Sequence, residues 1–204
     1  ALAKRIAEDY GFDPEELVYL GSGSYGDAFK IGDKVLKITS DLEEYMNANK
    51  LRRKPVTKYL VNYYDARQID DEGWYYALLM DYVEPIKPDK IDIIRSAIVT
   101  FEYNFDKDYK SREDAKKHIE KNVNIPKDFK NKREEYIDII LQIYDIHKEG
   151  NKNNISVVDL HPGNIGVKDN HYVYYDIGID YIFSNKLKRL KPFAYQGVDK
   201  YYTA

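Results

Sequence analysis

Three side chains in the last third of the chain have the chemistry to hold a divalent cation. Asp159 and Asn164 lie five positions apart in one short run, and Asp176 follows the mostly aromatic run 173–175. Carboxylate and amide oxygens are suitable ligands for Mg²⁺ on a polyphosphate. A loop followed by a short β-hairpin can direct these three side chains to one point. The segment 156–180 therefore predicts a site for phosphoryl-transfer chemistry.

The run DLHPGN at 159–164 resembles the catalytic loop of the protein-kinase-like superfamily. It is most similar to the aminoglycoside-phosphotransferase-like and small microbial or viral kinase branches. The run DIG at 176–178 resembles the superfamily's Asp-Phe-Gly element. The resemblance implies that Asp159 is the base that orients the acceptor hydroxyl, while Asn164 and Asp176 hold the metal. For the loop alone, an Asx-rich surface turn beside a strand is the alternative.

A glycine-rich run lies between two predicted strands near the start of the chain. It is followed by the apolar run 28–31, a Gly32-Asp33 turn and the run 34–38, which together predict a hairpin. A Gly-x-Gly-x-x-Gly within a hairpin resembles a kinase glycine-rich loop rather than a dinucleotide-binding fingerprint. Glycines let backbone N–H groups approach phosphates without interference from a Cβ. The loop residues expected at the nucleotide are Gly21, Ser22, Gly23, Ser24, Tyr25 and Gly26.

Lys37 ends the third predicted strand, where the resemblance implies a lysine on the α- and β-phosphates. A solvated lysine on a strand edge is the alternative. Its neighbours Leu36 and Ile38 are apolar, so this position is more constrained than that of most lysines.

The run SDLE at 40–43 has the form of a capping box, and it predicts a helix that ends near Arg53. In the resembling superfamily, a glutamate of this helix pairs with the strand lysine. The cap accounts for Glu43, which leaves Glu44 as the expected partner of Lys37. The sequence does not fix which residues of the helix face the strand, so either Glu43 or Glu44 could be the partner of Lys37.

A second hairpin, formed by runs 60–68 and 74–81, is expected to complete a five-stranded sheet. The resemblance implies that the following segment, 82–86, is a hinge whose backbone contacts adenine; a plain linker is the alternative. Five further residues are expected at the nucleotide, two over adenine, one at the gatekeeper place and two at the hinge. They are Ala28, Val35, Met80, Asp81 and Val83.

The pattern becomes helical from Lys90 onward. We predict helices over 91–105, 111–123 and about 128–149, the last ending at Gly150. His147 lies on the apolar face of the third helix, where a packed or half-exposed ring is a better interpretation than a ligand.

Composition sets limits on the function classes. The chain has 204 residues, a formal net charge of −3 and no cysteine. We expect no disulfide or thiolate site, no membrane span, and no need for a nucleic-acid partner. A soluble, cytoplasmic protein is the expectation.

Several positions depart from the kinase pattern. Val157 stands where the strict motif has His, and Val158 where protein kinases have Arg, so activation by phosphorylation is not expected. Gly166 stands where a large apolar residue usually floors the adenine pocket. Only 24 residues follow Asp180, with a basic run, so a truncated second lobe is expected and docking of a protein substrate is in doubt.

These observations predict a two-lobed α+β protein-kinase-like fold, with a five-stranded antiparallel N-lobe sheet and a truncated, mainly helical C-lobe. The expected division is 1–81 for the N-lobe, 82–86 for the hinge and 87–204 for the C-lobe. The predicted function is an ATP- and Mg²⁺-dependent phosphotransferase that acts on a hydroxyl of a protein or a small molecule. A catalytically weak, nucleotide-binding module that acts through a partner is the alternative, and nucleotidyl transfer is a third interpretation.

Overall fold

The chain has a mixed α+β fold in the computed structural model, which describes residues 2–23, 25–105, 109–157 and 159–177. It divides into two compact units. The first comprises the described residues within Ala1–Val56 and Asn62–Tyr82, together with Ile177. The second comprises the described residues of Thr57–Val61 and Val83–Asp176.

The first unit is built on one antiparallel sheet with the strand order β1-β2-β3-β5-β4. This confirms the predicted five-stranded antiparallel sheet. The elements in chain order are α1 (Leu2–Asp9), a 3₁₀ turn (Pro14–Glu16), β1 (Val18–Ser22), β2 (Gly26–Ile31), β3 (Lys34–Thr39), α2 (Leu42–Leu51), β4 (Tyr63–Gln68) and β5 (Tyr76–Asp81).

One face of this sheet packs against α1. Leu36 and Ile38 of β3 join Ile6 and Ala7 of α1 in a buried apolar cluster. Side chains alternate between the two faces of a strand, so Val35 and Lys37 point to the opposite face. The α1 side of the sheet is thereby closed, and Lys37 lies on the other side.

Helix α2 begins one residue later than the predicted capping box implies. Asp41, rather than Ser40, is the N-cap, and its carboxylate accepts hydrogen bonds from the N–H groups of Glu43 (2.8 Å) and Glu44 (3.2 Å). Ser40 is used elsewhere, because its N–H donates to the carbonyl of Tyr25 at 2.8 Å. Both serine and aspartate are favourable N-cap residues, so the sequence allowed either position. In the structure Ser40 contacts Tyr25, and Asp41 is the cap.

The second unit combines three helices with a three-stranded sheet of order β6-β7-β8. Helix α5 packs against α3 and α4, and its Tyr136 and Ile140 are fully buried. The elements are β6 (Glu84–Pro85), a 3₁₀ turn (Pro88–Lys90), α3 (Ile91–Asn104), α4 (Arg112–Asn122), a 3₁₀ turn (Lys127–Lys132), α5 (Arg133–Asn153), β7 (Ile165–Lys168) and β8 (His171–Tyr174).

The prediction that the long helix ends at Gly150 was wrong. Helix α5 continues to Asn153, and Asn154, with φ of 56°, provides the left-handed cap. Gly150 is a glycine for a different reason: a Cβ at this position would lie 2.7 Å from the Cγ2 atom of Val157. The glycine permits the chain after α5 to pack closely against the helix.

Residues 57–61 pack with the second unit although they precede β4 in sequence. The Glu149 carboxylate of α5 accepts hydrogen bonds from three consecutive backbone N–H groups, those of Lys58, Tyr59 and Leu60. Leu60 also forms a parallel bridge with Tyr174 of β8. The run predicted as a strand from 60 onward therefore becomes β4 only at Tyr63.

None of the helices within the described residues combines the length and the apolar character that a membrane crossing requires.

His147 of α5 stacks on Phe101 of α3, with ring centroids 4.8 Å apart and an interplanar angle of 22°. Burial lowers the pKa of His147 to about 4, from an ordinary value near 6.5. Between about pH 4 and pH 6.5, His147 therefore binds a proton in the unfolded chain but not in the folded chain.

We predict that this difference destabilises the protein in mild acid. Because the folded-state pKa is the lower one, the free energy of unfolding should fall as pH decreases below about 6.5, with a loss of about 2 kcal/mol by pH 5. Below about pH 4, where His147 is protonated in both states, its contribution to the free energy of unfolding should decrease no further. Urea denaturation of wild type and His147→Phe at pH 7 and pH 5 measures this contribution. An equal acid-dependent loss in both proteins would contradict the prediction.

Candidate functional site

Lys37 of β3 and Glu44 of α2 form an ion pair at the centre of the first unit. The Lys37 Nζ atom lies 2.6 Å from Glu44 Oε1, and the two side chains are 21% and 1% exposed. Of the two acids that the sequence left open, Glu44 is the partner of Lys37. Burial of a carboxylate is unfavourable unless a cation or hydrogen bonds compensate it, so this pair fixes α2 relative to β3.

Four predicted nucleotide-contact residues, Lys37 among them, lie on the same face of the sheet. Ala28 is directly opposite Lys37 across β2 and β3, and Val35 is directly opposite Met80 across β3 and β5. Directly opposed residues share a face of a sheet. Val35 and Met80 are both buried. The side chains expected around adenine are thus neighbours of the lysine in the sheet.

The glycine-rich turn between β1 and β2 is held by backbone hydrogen bonds. The Gly23 N–H donates to the Gly26 carbonyl at 2.8 Å, and Ser40 donates to the Tyr25 carbonyl through its N–H. The Ser22 hydroxyl donates to the Asp27 carboxylate. Ser24, also predicted at the phosphates, lies outside the described residues. In this conformation the Gly23 N–H is used within the turn.

The three glycines of the motif differ in whether the fold requires a glycine at their positions. A Cβ at Gly26 would lie 2.0 Å from the Ile38 carbonyl oxygen, so close approach of β3 requires a glycine there. Gly21 has φ of 151° at a register shift in β1, which a side chain would rarely adopt. At Gly23 the nearest atom to a built Cβ is 4.0 Å away. The described residues around position 23 therefore leave room for a side chain there.

Asp81, predicted at the hinge, uses its side chain within the first unit. Its buried carboxylate accepts hydrogen bonds from Asn62 Nδ2 at 3.1 Å and from the Tyr64 hydroxyl, and Lys34 Nζ lies 3.9 Å away. These contacts link β3, β4 and β5. Any nucleotide contact of Asp81 would therefore involve its backbone.

Val83 occupies the space that Gly166 leaves open. A Cβ at Gly166 would lie 2.5 Å from the Cγ2 atom of Val83, and β6 pairs with β7 through Pro85 and Gly166. The sequence indicated Gly166 as a missing apolar floor for an adenine pocket. In the structure, the Val83 side chain fills the space beside Gly166 that a side chain at position 166 would otherwise take.

Asp159 and Asn164 are joined within the loop that leads from α5 to β7. Asn164 Nδ2 donates to the Asp159 carbonyl at 2.9 Å and lies 3.4 Å from its Oδ2 atom. The Asn164 side chain is buried, whereas that of Asp159 is 59% exposed. Because the amide nitrogen is directed to Asp159, the amide oxygen Oδ1 is the atom that could bind a cation.

His161 faces Asp159 within the same loop. Its Nδ1 atom accepts a hydrogen bond from the Gly163 N–H at 3.0 Å, which places the proton of the neutral ring on Nε2. The Nε2 atom lies 3.7 Å from Asp159 Oδ2. The ring thus presents a donor to the exposed carboxylate.

The β7–β8 hairpin brings Asp176 close to Asn164 in the ladder. Asp169 and Asn170 both have positive φ, as a two-residue type I′ turn requires, and Ile165 pairs with Tyr174. The Tyr175 N–H then donates to the Asn164 carbonyl at 3.1 Å. Asp176 is the next residue. Gly178 of the predicted Asp-x-Gly run, and Val158 before the loop, lie outside the described residues.

Asn164 and Asp176 carry the kinds of oxygen donor that a magnesium site completed by a substrate uses. Mg²⁺ in such sites usually keeps several waters and binds through a carboxylate or two plus phosphate oxygens. Within the described ranges, no group of three or more His, Asp or Glu side chains is placed to hold a metal ion.

Sequence reasoning did not identify one buried polar contact beside these residues. Asn47 of α2 donates from Nδ2 to the carbonyl of Ile177, the residue after Asp176, at 2.8 Å. The one available signal was its spacing of three residues from Glu44, which places both on the same side of a helix.

No protein-family model and no curated protein sequence matches the chain. Among solved structures, it is similar to the crystal structure of Rad53 1–466 in complex with AMP-PNP. The match covers 82% of this chain and 39% of that chain, with 14% sequence identity and a TM-score of 0.44. This chain thus corresponds to well under half of that structure's length. A likeness at this level does not identify a family.

We predict that alanine substitutions at positions 23 and 26 have different effects on stability. Gly23→Ala should change the free energy of unfolding by less than about 1 kcal/mol, whereas Gly26→Ala should destabilise by about 1–3 kcal/mol or more through the clash with Ile38. If the turn covers phosphates, Gly23→Ala should also weaken ATP binding about tenfold, or about 1.4 kcal/mol.

Denaturation curves and ATP titrations of the two variants measure both effects. Wild-type ATP affinity in a stably folded Gly23→Ala protein would remove position 23 from the phosphate site. Equal stability of the two variants would contradict the structural distinction between the glycines.

Proposed function

We propose that the chain is an ATP- and Mg²⁺-dependent phosphotransferase of the protein-kinase-like type, which moves the γ-phosphate to a hydroxyl of a protein or a small molecule. In this proposal Lys37 and the glycine-rich turn contact the phosphates. Asn164 and Asp176 bind the metal, and Asp159 orients the acceptor hydroxyl.

The single observation that carries the proposal is the Lys37–Glu44 pair. A nearly inaccessible carboxylate holds a partly exposed ammonium on the same sheet face as Ala28, Val35 and Met80. Buried ion pairs are seldom the most stable solution, since apolar residues of similar volume often stabilise as well or better. A lysine held in this way is better explained by a need to present a fixed positive charge to an anion.

The loop of the second unit supports the roles proposed for its residues. Asp159 is exposed enough to meet an acceptor hydroxyl, and its backbone is held by the buried Asn164 amide. When bound, Mg²⁺ would neutralise phosphate charge as the γ-phosphate is transferred. Asn164 Oδ1 and the Asp176 carboxylate are the oxygen ligands that the chain would supply.

The second candidate is a nucleotide-binding module with weak or no transfer activity. The engaged Gly23 N–H favours it, since that group would have to leave the Gly26 carbonyl before it could bind a phosphate. Nucleotidyl transfer would use the same groups, but the acceptor would attack the α-phosphorus, so that AMP is transferred and pyrophosphate leaves.

Labelled ATP separates these functions. The full chain is incubated with γ-labelled ATP, Mg²⁺ and a cell lysate, with α-labelled ATP in a parallel reaction. Phosphotransfer leaves γ-label on a protein or a small molecule, and the fraction that carries it identifies the acceptor class. Transfer of α-label alone would indicate nucleotidyl transfer. Binding of ATP with no transferred label would support the second candidate and overturn the first.

We predict that Mg²⁺ and ATP together stabilise the wild-type protein and that Asp176→Ala abolishes the Mg²⁺-dependent part. A ligand at about 100 times its Kd adds about 2.7 kcal/mol to the free energy of unfolding. For a chain of this size that corresponds to a Tm increase of roughly 5–10 °C. Thermal denaturation with ATP and Mg²⁺, or with ATP and EDTA, measures the difference. A full Mg²⁺-dependent increase in Asp176→Ala would remove Asp176 from the metal site.

Lys37 is tested in the same assay. Lys37→Ala should lose most of the stabilisation by ATP, because the phosphates lose their fixed positive charge. The double variant Lys37→Ala/Glu44→Gln avoids a buried Glu44 carboxylate that has lost its Lys37 ion pair, and it controls for misfolding. Lys121→Ala, at an exposed position of α4, is the matched control for loss of one positive charge. An unchanged Tm increase with ATP in the double variant would exclude Lys37 from the site.

We predict that Asp159→Asn binds ATP as the wild type does but transfers phosphate about 10²–10⁴-fold more slowly, the usual contribution of a general base. Asp169→Asn, the same change at the exposed tip of the β7–β8 hairpin, is the control and should retain activity. The release of γ-label under single-turnover conditions gives the rate. A wild-type rate in Asp159→Asn would rule out the role proposed for this carboxylate.

A further inference from the structure

Helix α2 carries two buried polar side chains one turn apart. Glu44, which pairs with Lys37, is 1% exposed, and Asn47 is 5% exposed. Buried polar groups are normally retained only when their hydrogen bonds are made. Both ends of the Asn47 amide are used: Nδ2 donates to the Ile177 carbonyl at 2.8 Å, and Oδ1 accepts from Lys50 Nζ at 3.1 Å.

The carbonyl that Asn47 binds belongs to the residue that follows Asp176. The chain passes from the second unit to the first between Asp176 and Ile177, and the Ile177 side chain is buried. A fixed Ile177 carbonyl restricts the rotation of the residues attached to it. The Asn47 hydrogen bond and the burial of the Ile177 side chain therefore hold in place the residue to which Asp176 is attached.

We propose that Asn47 is a positioning residue for Asp176, which acts by holding the carbonyl of the next residue, Ile177. This inference rests on the proposed function, since it assigns Asp176 to a metal. Its physical content is that α2 holds Lys37 through Glu44 and, through Asn47, holds the carbonyl of Ile177, the residue attached to Asp176. A displacement of α2 would disturb both contacts at once.

The alternative is that Asn47 only satisfies a buried carbonyl. In that case its loss would lower stability, because an unpaired buried carbonyl is unfavourable, but the response to Mg²⁺ would not change. Groups that orient metal ligands behave differently: their removal typically lowers metal affinity about 10–100-fold. The apparent affinity for Mg²⁺ therefore distinguishes positioning from stability alone.

The test compares Asn47→Asp and Asn47→Leu with the wild type. Aspartate keeps the shape of the side chain and removes the donor; leucine removes both polar atoms. Asn49→Asp is the matched control on the same helix, where the Asn49 side chain accepts from Arg52 Nε at 2.7 Å at the surface. Mg²⁺ is titrated at fixed ATP, with stabilisation against heat as the signal, and ATP binding in EDTA is measured in parallel.

We expect both Asn47 variants to need at least about tenfold more Mg²⁺ for half-maximal stabilisation, with ATP affinity in EDTA unchanged. Asn49→Asp should behave as the wild type does. Folded Asn47 variants with a wild-type Mg²⁺ requirement would overturn the inference while leaving the proposed function intact. A wild type that binds no Mg²⁺-ATP would overturn the proposed function itself.

A second measurement needs no variant. Because coupling between two sites is reciprocal, Mg²⁺-ATP should slow hydrogen exchange of the amides at 47–51 of α2 more than ATP in EDTA does. Equal protection of this stretch in the two conditions would contradict the coupling. The measurement therefore decides the question even where loss of the Asn47 amide prevents folding.

Discussion

The burial of the Glu44 carboxylate is the constraint on which the first unit depends. A carboxylate that is 1% exposed must have a cation or strong donors beside it, and Lys37 supplies the cation. The Asp41 cap orders the Glu44 backbone at the start of α2, so the helix presents the carboxylate at a fixed place. The need for a cation beside Glu44 also fixes the place of Lys37 on β3. The sheet register then determines which side chains surround that lysine.

Elements specified by local patterns were predictable from the sequence. The alternation of polar and apolar residues in β3 and the Gly32-Asp33 turn predict the β2–β3 hairpin, because strand periodicity and positive-φ turns are local properties. The five-stranded sheet followed from two such hairpins. The end of α5 was not predictable in this way, because Gly150 is required by a contact with Val157 rather than by the helix cap.

Contacts between residues distant in sequence account for the rest of what was missed. Residues 57–61 have strand-like composition, yet Glu149 and Tyr174 bind their backbone into the second unit. The hydrogen bond from Asn47 to Ile177 joins residues 130 positions apart. No periodicity or motif in a single sequence encodes such pairs. The candidate site residues, in contrast, were identifiable because their spacing within short motifs is itself local.

The glycine-rich turn shows how a motif can mix fold and function. Gly26 is required by the approach of β3, and Gly21 by its backbone conformation, so both would be needed in a hairpin that binds nothing. Among the described residues other than its chain neighbours, no atom lies closer than 4.0 Å to a Cβ built at Gly23, and Gly23 does not have the positive φ of Gly21. A glycine costs conformational entropy relative to alanine, and the described residues around position 23 do not offset this cost through a close contact. Under the proposed function, a phosphate that approaches the backbone would supply the reason for a glycine at position 23, so Gly23 is the residue of the motif at which a functional role can be tested apart from the fold.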